Sequence, residues 1–442
     1  MRPTLAAALL PLLLCASPAA ADIQGRVFED VNYGGGAGRP IGTVGVVNRD
    51  GARVELYDNT GAFVEFQLTD VTGLYIFPQT AGTYTVRVVN STVTSSRVGY
   101  VPGLLPVQTF RTDASGGNPP AAVTDRVGGE VPSLVDAGPN TTGLTLAQLT
   151  TATTTAQSIT TVTFGGGTDV VDVHFGFNFN TIVNVNASDQ GSLRQFLLNS
   201  NALDNAALAI QGQPLLRDVS VFMISDGQAH SGLRAGLADL LIGGVAVIAP
   251  VTDLPAMTAT DTSVDGTTQT TNVGNTNAVV LGTGGTVGVD ALPLNTVAGP
   301  EVEIRGSDSG INDCGLLIQA GGAVVRGLAI RAFGDVIGEG GVCVNGAPNA
   351  LIEGNVLGSS ATSLVDPGAT AQRSESGVFG GNSSAGTVQN NLIGFGRLTG
   401  IYLAAGATGW AVTGNEIRDS GMDSADGDGI TINTGTTNTS VG

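Results

Sequence analysis

Val325-Arg326-Gly327-Leu328-Ala329-Ile330 returns in altered form three more times: Ile352-Glu353-Gly354-Asn355-Val356-Leu357, Val388-Gln389-Asn390-Asn391-Leu392-Ile393 and Val412-Thr413-Gly414-Asn415-Glu416-Ile417. Each block reads apolar, two residues, Leu or Asn, one residue, apolar. A second track precedes each block: Gly315-Leu316-Leu317-Ile318, Gly341-Val342-Cys343-Val344, Gly377-Val378-Phe379-Gly380 and Gly400-Ile401-Tyr402-Leu403, with Gly429-Ile430-Thr431-Ile432 opening a fifth. The i, i+3, i+4 apolar spacing of helical repeats is missing. Two apolar tracks per repeat joined by glycine corners are what a parallel solenoid needs. Inward side chains stack coil on coil, glycine takes the left-handed bends, and asparagine stacks as a hydrogen-bonding ladder inside a bend. Insertions such as residues 359–375 vary the spacing.

Upstream, the pattern changes. Ser192-Leu193-Arg194-Gln195 is a capping box, and Leu193, Phe196 and Leu197 fall on one helical face with Leu203 and Leu208 beyond. One short amphipathic helix just before a solenoid suits a plug over its open end.

Composition fits stacked strands. Charged residues are 12 % of the 442, about half the usual share of roughly 25 %, while hydrophobic residues reach 42 %. Net charge is −19, and all basic residues are arginine. An acidic chain without lysine repels phosphate backbones and anionic membranes, so nucleic acid is excluded as a partner. Schiff-base and phosphate-loop lysines are excluded with it. His174 and His230 cannot supply a zinc site built of several histidines.

Residues 1–21 read as a signal peptide. Arg2 is the positive start, Leu5 to Leu14 the apolar run, and Ala19-Ala20-Ala21 the small-residue cleavage site before Asp22. Leu14 stands before Cys15 where a lipobox wants a small residue. No other stretch is apolar for long enough to span a membrane. Export would permit a disulfide between Cys314 and Cys343. The repeat register sets them on different tracks, and the expectation is two small apolar residues in a β-core.

Residues 23–90 alternate apolar and polar in short strands broken by turns such as Asp58-Asn59-Thr60-Gly61, the pattern of a β-sandwich. Three blocks carry a resemblance: Gly25-Arg26-Val27-Phe28-Glu29-Asp30-Val31-Asn32, Thr69-Asp70-Val71-Thr72-Gly73-Leu74-Tyr75-Ile76-Phe77 and Ala81-Gly82-Thr83-Tyr84-Thr85-Val86. They resemble the SD-repeat B-type and collagen-adhesin B-type surface domains. Val173-His174-Phe175-Gly176-Phe177 resembles the strand that closes such a domain. The resemblance implies a sandwich over residues 22–180, with a Pro/Gly/Thr-rich elaboration at about 97–165. It also implies a calcium-binding opening loop. Here only Asp30 and Asn32 offer side-chain oxygens, against the six to eight that calcium takes, and the alternative is a plain glycine-rich turn. The Lys–Asn crosslink of some relatives is excluded.

The repeats resemble the right-handed parallel β-helix, or pectate-lyase-like, family, over about residues 183–442. Asp265-Gly266-Thr267-Thr268-Gln269 and the Gly-Ser-Leu-Arg-Gln block at 191–195 resemble segments of bacterial surface β-helix proteins. The expected architecture is all-β: an N-terminal β-sandwich, a capping helix and linker at 181–212, and a right-handed parallel β-helix at 213–442. The last coil, opened at Gly429, stops at Gly442, so the natural chain is expected to continue into further coils and an anchor.

Such folds carry lyases, hydrolases and epimerases as well as adhesins. A catalytic reading falls on Asp419, Asp423, Asp426 and Asp428, with Arg397 and Arg418 near in sequence; the other reading is a solvated acidic loop. His230 in Asp226-Gly227-Gln228-Ala229-His230-Ser231 reads as an inert loop histidine. The favoured function is a secreted or cell-surface adhesion-type protein without catalysis, its partners extracellular polysaccharide or other surface and matrix proteins. The alternative is an extracellular polysaccharide-active enzyme. No cofactor is expected beyond calcium at Asp30 and Asn32.

Overall fold

The computed structural model describes residues 21–165, 167–306, 313–424 and 427–442. The signal-peptide reading therefore lies, Ala21 apart, outside the described residues. The chain is all-β, and its α-helices among the described residues are α1 (Leu193–Ala202) and α2 (Thr267–Val273). Among the described residues no helix is long and apolar enough to cross a membrane.

Two sheets form the N-terminal part. In the first, Ala21–Asp30 lies between Val46–Asn48 and Phe175–Asn178, followed by Val107–Asp113 and Ala121–Val123; Leu74–Gln79 pairs with the start of Ala21–Asp30. In the second the order is Ser158–Phe164, Gly82–Val88, Arg53–Tyr57, Phe63–Leu68. Ile23, Val27, Phe77 and Phe175 of the first sheet share one buried cluster with Val54, Leu56, Val86 and Val88 of the second. Two turns have the same wiring. Asp58 Oδ1 accepts from the N–H and hydroxyl of Thr60 and the N–H of Ala62, and Asp70 Oδ1 accepts likewise from Thr72 and Leu74.

The stretch read as an elaboration is built into both sheets, giving Val107–Asp113 to one and Ser158–Phe164 to the other. Between them, residues 130–157 cover the outer face of the second sheet. Tyr57 packs there with Ala137, Leu149 and Ala156. The anchor is ionic: Arg87 reaches Glu55 at 2.7 Å and Asp136 at 3.1 Å, all with side chains at most 2 % exposed. Asp136 also accepts the main-chain N–H groups of Asn90 and Gln157, both at 3.0 Å. Burial outweighs these contacts and pushes the Asp136 pKa up to about 6.

The C-terminal part holds three parallel sheets that the chain visits in turn. One contains Thr262–Asp265, Val324–Arg326, Leu351–Glu353, Thr387–Gln389 and Ala411–Thr413. The next contains Val302–Arg305, Ala329–Arg331, Val356–Leu357, Leu392–Gly394 and Glu416–Arg418. The third contains Cys314–Ile318, Gly340–Asn345, Ser376–Gly381, Thr399–Leu403 and Ile430–Ile432. Val325, Ile352, Val388 and Val412 stand in register in the first; Ile330, Leu357, Ile393 and Ile417 do so in the second. One cluster of buried side chains runs from Phe222 to Val412.

The sequence shows two tracks where the structure has three sheets. The first track is cut by a sharp corner at Gly327, Gly354, Asn390 and Gly414, each at positive φ (+64°, +62°, +56° and +62°). Its two apolar ends thus belong to different sheets. The next residue in each of the last three corners is the asparagine, and these form a ladder. Leu328 N–H donates to Asn355 Oδ1 at 3.1 Å, Asn355 N–H to Asn391 Oδ1 at 3.0 Å, and Asn391 N–H to Asn415 Oδ1 at 3.0 Å. The glycines of the second track leave room for the neighbouring sheet. A Cβ on Gly400 would lie 2.6 Å from Gly429 O and 2.7 Å from Ile417 Cγ2.

The cysteine expectation is corrected here. Cys314 and Cys343 form a disulfide, with Cα atoms 5.9 Å apart. Cys314 opens the strand of one coil, and Cys343 lies in the strand stacked directly on it in the same sheet. The assignment to different tracks fails because Cys314 sits at the edge of the track that Cys343 occupies one coil later.

Helix α1 is capped by Ser192, whose Oγ accepts the Gln195 N–H at 3.1 Å. The reciprocal half of the capping box is absent: Gln195 Nε2 donates to Asn199 Oδ1 and Gly103 O instead. Leu193, Phe196 and Leu197 join the same buried cluster as the coil interiors. Helix α2 has no apolar face of this kind. It lies along the edge of strand Val221–Phe222 opposite that strand's pairing with Thr181–Ile182, and its side chains take a second neighbour's place. Thr268 Oγ1 accepts from Phe222 N–H, Asn272 Nδ2 donates to Phe222 O, and Gln269 bonds both the N–H and C=O of Ile224 at 2.9 and 2.7 Å.

Candidate functional site

Outward side chains on the parallel sheets form columns, because in-register pairing repeats each position one coil later. The three outer faces differ. On the first, Asp265, Arg326, Glu353 and Gln389 stand in register. Arg326 bonds Asp265 at 2.6 Å and Gln389 bonds Glu353 at 2.8 Å, so the polar groups of this column are engaged with one another. On the second, Ala329, Val356 and Leu392 are buried under Leu281, Val297 and Ala361. Thr283 ties that cover down through its N–H and hydroxyl to Glu416, at 2.8 and 2.6 Å.

On the third face Phe379 and Tyr402 are partly exposed, while Cys343 is buried. Leu317, Cys343, Phe379, Tyr402 and Thr431 form its central column. Phe379 and Tyr402 stack, with centroids 5.9 Å apart and planes 18° from parallel. Asn433 Nδ2 donates to Tyr402 Oη at 3.1 Å, and Gln319 and Asn345 flank the column, exposed. Half-exposed stacked rings edged by amides suit an apolar sugar face or a peptide side chain.

The acidic residues near the chain end do not converge. Asp423 lies between Arg373, at 2.9 Å, and Arg397, at 3.6 Å. Arg373 also holds Asp366 at 2.7 Å, and that hydrogen bond keeps the Asp366 carboxyl below its usual range. Arg397 faces Glu375 as well, at 3.7 Å. Burial pushes the Glu375 pKa up, against the pull of Arg397. Arg418 pairs with Glu416 and Thr283 instead. Asp419 occupies a left-handed bend, Asp428 accepts from the Thr431 hydroxyl at 3.3 Å, and Asp426 lies outside the described residues. The arginines thus brace loops from neighbouring coils.

The calcium candidates are engaged within the chain. Both Asp30 oxygens accept from Arg39, and burial pushes this carboxyl's pKa up despite that arginine. Asn32 Oδ1 accepts the Ala209 N–H at 2.9 Å. Among the described residues no three His, Cys, Asp or Glu side chains gather as metal ligands. His230 Nε2 lies 2.8 Å from Asp226 Oδ1, and no hydrogen bond joins Ser231 to the ring among the described residues.

The aromatic column could not be read from sequence, because Phe379 and Tyr402 become neighbours only through the coil register. The one signal was their matching place in Gly-apolar-x motifs. These features define an all-β protein with stacked parallel strands and a partly exposed aromatic pair on one face. No protein-family model matches the chain, and no curated protein matches it.

Proposed function

We propose that this is an exported surface or matrix protein of adhesion type. Residues 22–180 form an SD-repeat B-like β-sandwich that serves as a stalk, and residues 213–442 form a right-handed parallel β-helix that serves as the recognition surface. The observation that carries this reading is the partly exposed aromatic pair on the third sheet, Phe379 and Tyr402 stacked in register. The arginine-braced carboxylates support it, since Asp423 and Glu416 are spent on holding loops. Export is supported by the signal-like residues 1–21 and by the Cys314–Cys343 disulfide, a bond of oxidising compartments. The rival is a polysaccharide-active enzyme on the same coils. Incubation of the chain with a panel of polysaccharides, with and without calcium, separates the two. Retention of intact polymer is expected, and release of unsaturated or shortened products would overturn the proposal.

A further inference from the structure

Arginine is the chain's device for burying carboxylates. Every buried Asp or Glu among the described residues is ion-paired to an arginine, except Glu29 and Glu301. Glu29 is satisfied otherwise, by the Ser95 hydroxyl at 2.7 Å and the Ser96 N–H. Glu301 is 4 % exposed, and the side chain that donates to its carboxylate is Thr270, through the hydroxyl.

Glu301 opens onto a cleft of about 310 Å³, about the size at which small-ligand sites begin. Helix α2 supplies Thr267 and Thr270, and the cover of the second sheet supplies Thr296. The corner residues Gly327, Gly354 and Asn390 line one side, and Val297, Ala298 and Pro300 add an apolar wall. Two of these three corners are glycine, so backbone is left open to a ligand. The lining thus sets hydroxyls, amides, bare backbone and one carboxylate with no cation beside an apolar wall, which suits the C–H face of a sugar ring. A buried carboxylate is costly without a positive partner, and a net charge of −19 draws cations toward the chain. A bare divalent ion would want several more oxygen ligands of its own. An ammonium group on a hydroxyl-rich frame meets both features at once: the charge pairs with Glu301, and the hydroxyls meet Thr and Asn.

We propose that the Glu301 cleft binds a glycan carrying unacetylated amino groups. This rests on the recognition reading above and names a ligand class for a second place on the same coils. Burial raises the Glu301 pKa, with the Thr270 bond opposing it, as for a carboxylate awaiting a counter-charge.

The test titrates the full chain with a glucosamine tetramer and with its fully N-acetylated counterpart, by calorimetry in mildly acidic buffer. The glucosamine tetramer is expected to bind at least about tenfold more tightly than the neutral one. Glu301→Gln keeps the size and the Thr270 contact, and it is expected to abolish that preference at unchanged melting temperature. Thr296→Arg, at an exposed position on the rim, is expected to fill the cleft with a cation and block binding even if Glu301→Gln should fail to fold. Asp290→Asn, an exposed carboxylate outside the lining, is the control for net charge. The proposal is overturned if the chain binds neither tetramer or both equally, if Thr296→Arg binds as the parent does, or if Asp290→Asn weakens binding as much as Glu301→Gln. The same mixtures are analysed for shortened oligomers. Cleavage would overturn the non-catalytic reading and leave the cleft standing; absence of binding to intact oligomers would overturn the cleft alone.

Discussion

Asn391 Oδ1 accepts both the main-chain N–H and the Nδ2–H of Asn355, each at 3.0 Å, although the two residues are 36 positions apart. Asn391 Nδ2 in turn donates to Asn415 Oδ1 at 2.9 Å and Ile352 O at 2.9 Å. Asn391→Ala strands two buried donors of the coil before it, and about 2–3 kcal/mol of stability should be lost. Asn415→Ala, at the less buried end of the ladder, should cost about 1 kcal/mol. Urea midpoints at unchanged slope measure both; equal losses would mean the ladder is not a cooperative buried network.

Arg87 sits between Glu55 and Asp136, and all three side chains are buried. Removing the cation alone leaves Asp136 uncompensated and Glu55 with Arg53 as its remaining cation. Arg87→Met should therefore destabilise the N-terminal part by about 3–5 kcal/mol. Limited proteolysis should then cut first within residues 130–157, the segment this network fastens. A variant as stable and as resistant as the parent would show that the network contributes nothing.

His174 Nδ1 accepts the Arg26 main-chain N–H at 3.0 Å, which only an imidazole unprotonated at Nδ1 can do. Burial holds the His174 pKa below its ordinary value, with Arg26 adding to the effect and Asp172 opposing it. The folded state thus binds fewer protons than the unfolded one. This contribution is complete above the ordinary histidine pKa of about 6.5 and is lost as pH falls below it. His174→Asn, which keeps an acceptor and cannot titrate, should flatten the stability profile between neutral and mildly acidic pH. Superimposable profiles would rule out His174 as the source.

The Cys314–Cys343 bond closes a loop of sequence separation 29. A loop of that size restricts the unfolded chain by about 3.6 kcal/mol. The intact protein should show no free thiol at these positions. Reduction, or the paired change Cys314→Ser with Cys343→Ser, should lower the melting temperature. Two titratable thiols in unreduced, folded protein would contradict the pairing.

Trp410 is the chain's one tryptophan and is 1 % exposed. A Cβ on Gly386 would come within 2.6 Å of its ring. Gly386→Ala should cost about 1–3 kcal/mol by overpacking and shift the tryptophan emission to longer wavelength. Unchanged emission and stability would mean the ring moves aside freely.

The repeat itself is legible because inward apolar residues and corner glycines recur at matched positions, as Val325, Ile352, Val388 and Val412 do. The number of sheets was not legible, since a single left-handed residue turns the chain, and a bend leaves the one-dimensional spacing untouched. Helix α2 escaped notice because Thr267–Val273 is made of poor helix formers without an apolar face. Its purpose lies in the hydrogen bonds of Gln269 to Ile224, and those are visible only in three dimensions. The same holds for ionic pairs such as Arg97–Asp218, whose members are 121 residues apart. Asp30 and Asn32 were found by motif, but the motif carried no word of Arg39 or Ala209. Glu301 offered no motif, and only the tally of arginine partners singles it out.

In the last four coils the corner between the first and second sheets is two residues: 327–328, 354–355, 390–391 and 414–415. The passage from the second sheet to the third spans residues 332–339 in one coil, 358–375 in the next and 395–398 in the one after. Length is thus rationed at one edge and unrestricted at another. A segment lengthened on the free edge leaves every ladder bond where it was, so this flank can acquire, trade or discard surface features while the scaffold beneath keeps its register. A foreign peptide spliced into 358–375 should be displayed there by a frame that does not register its presence.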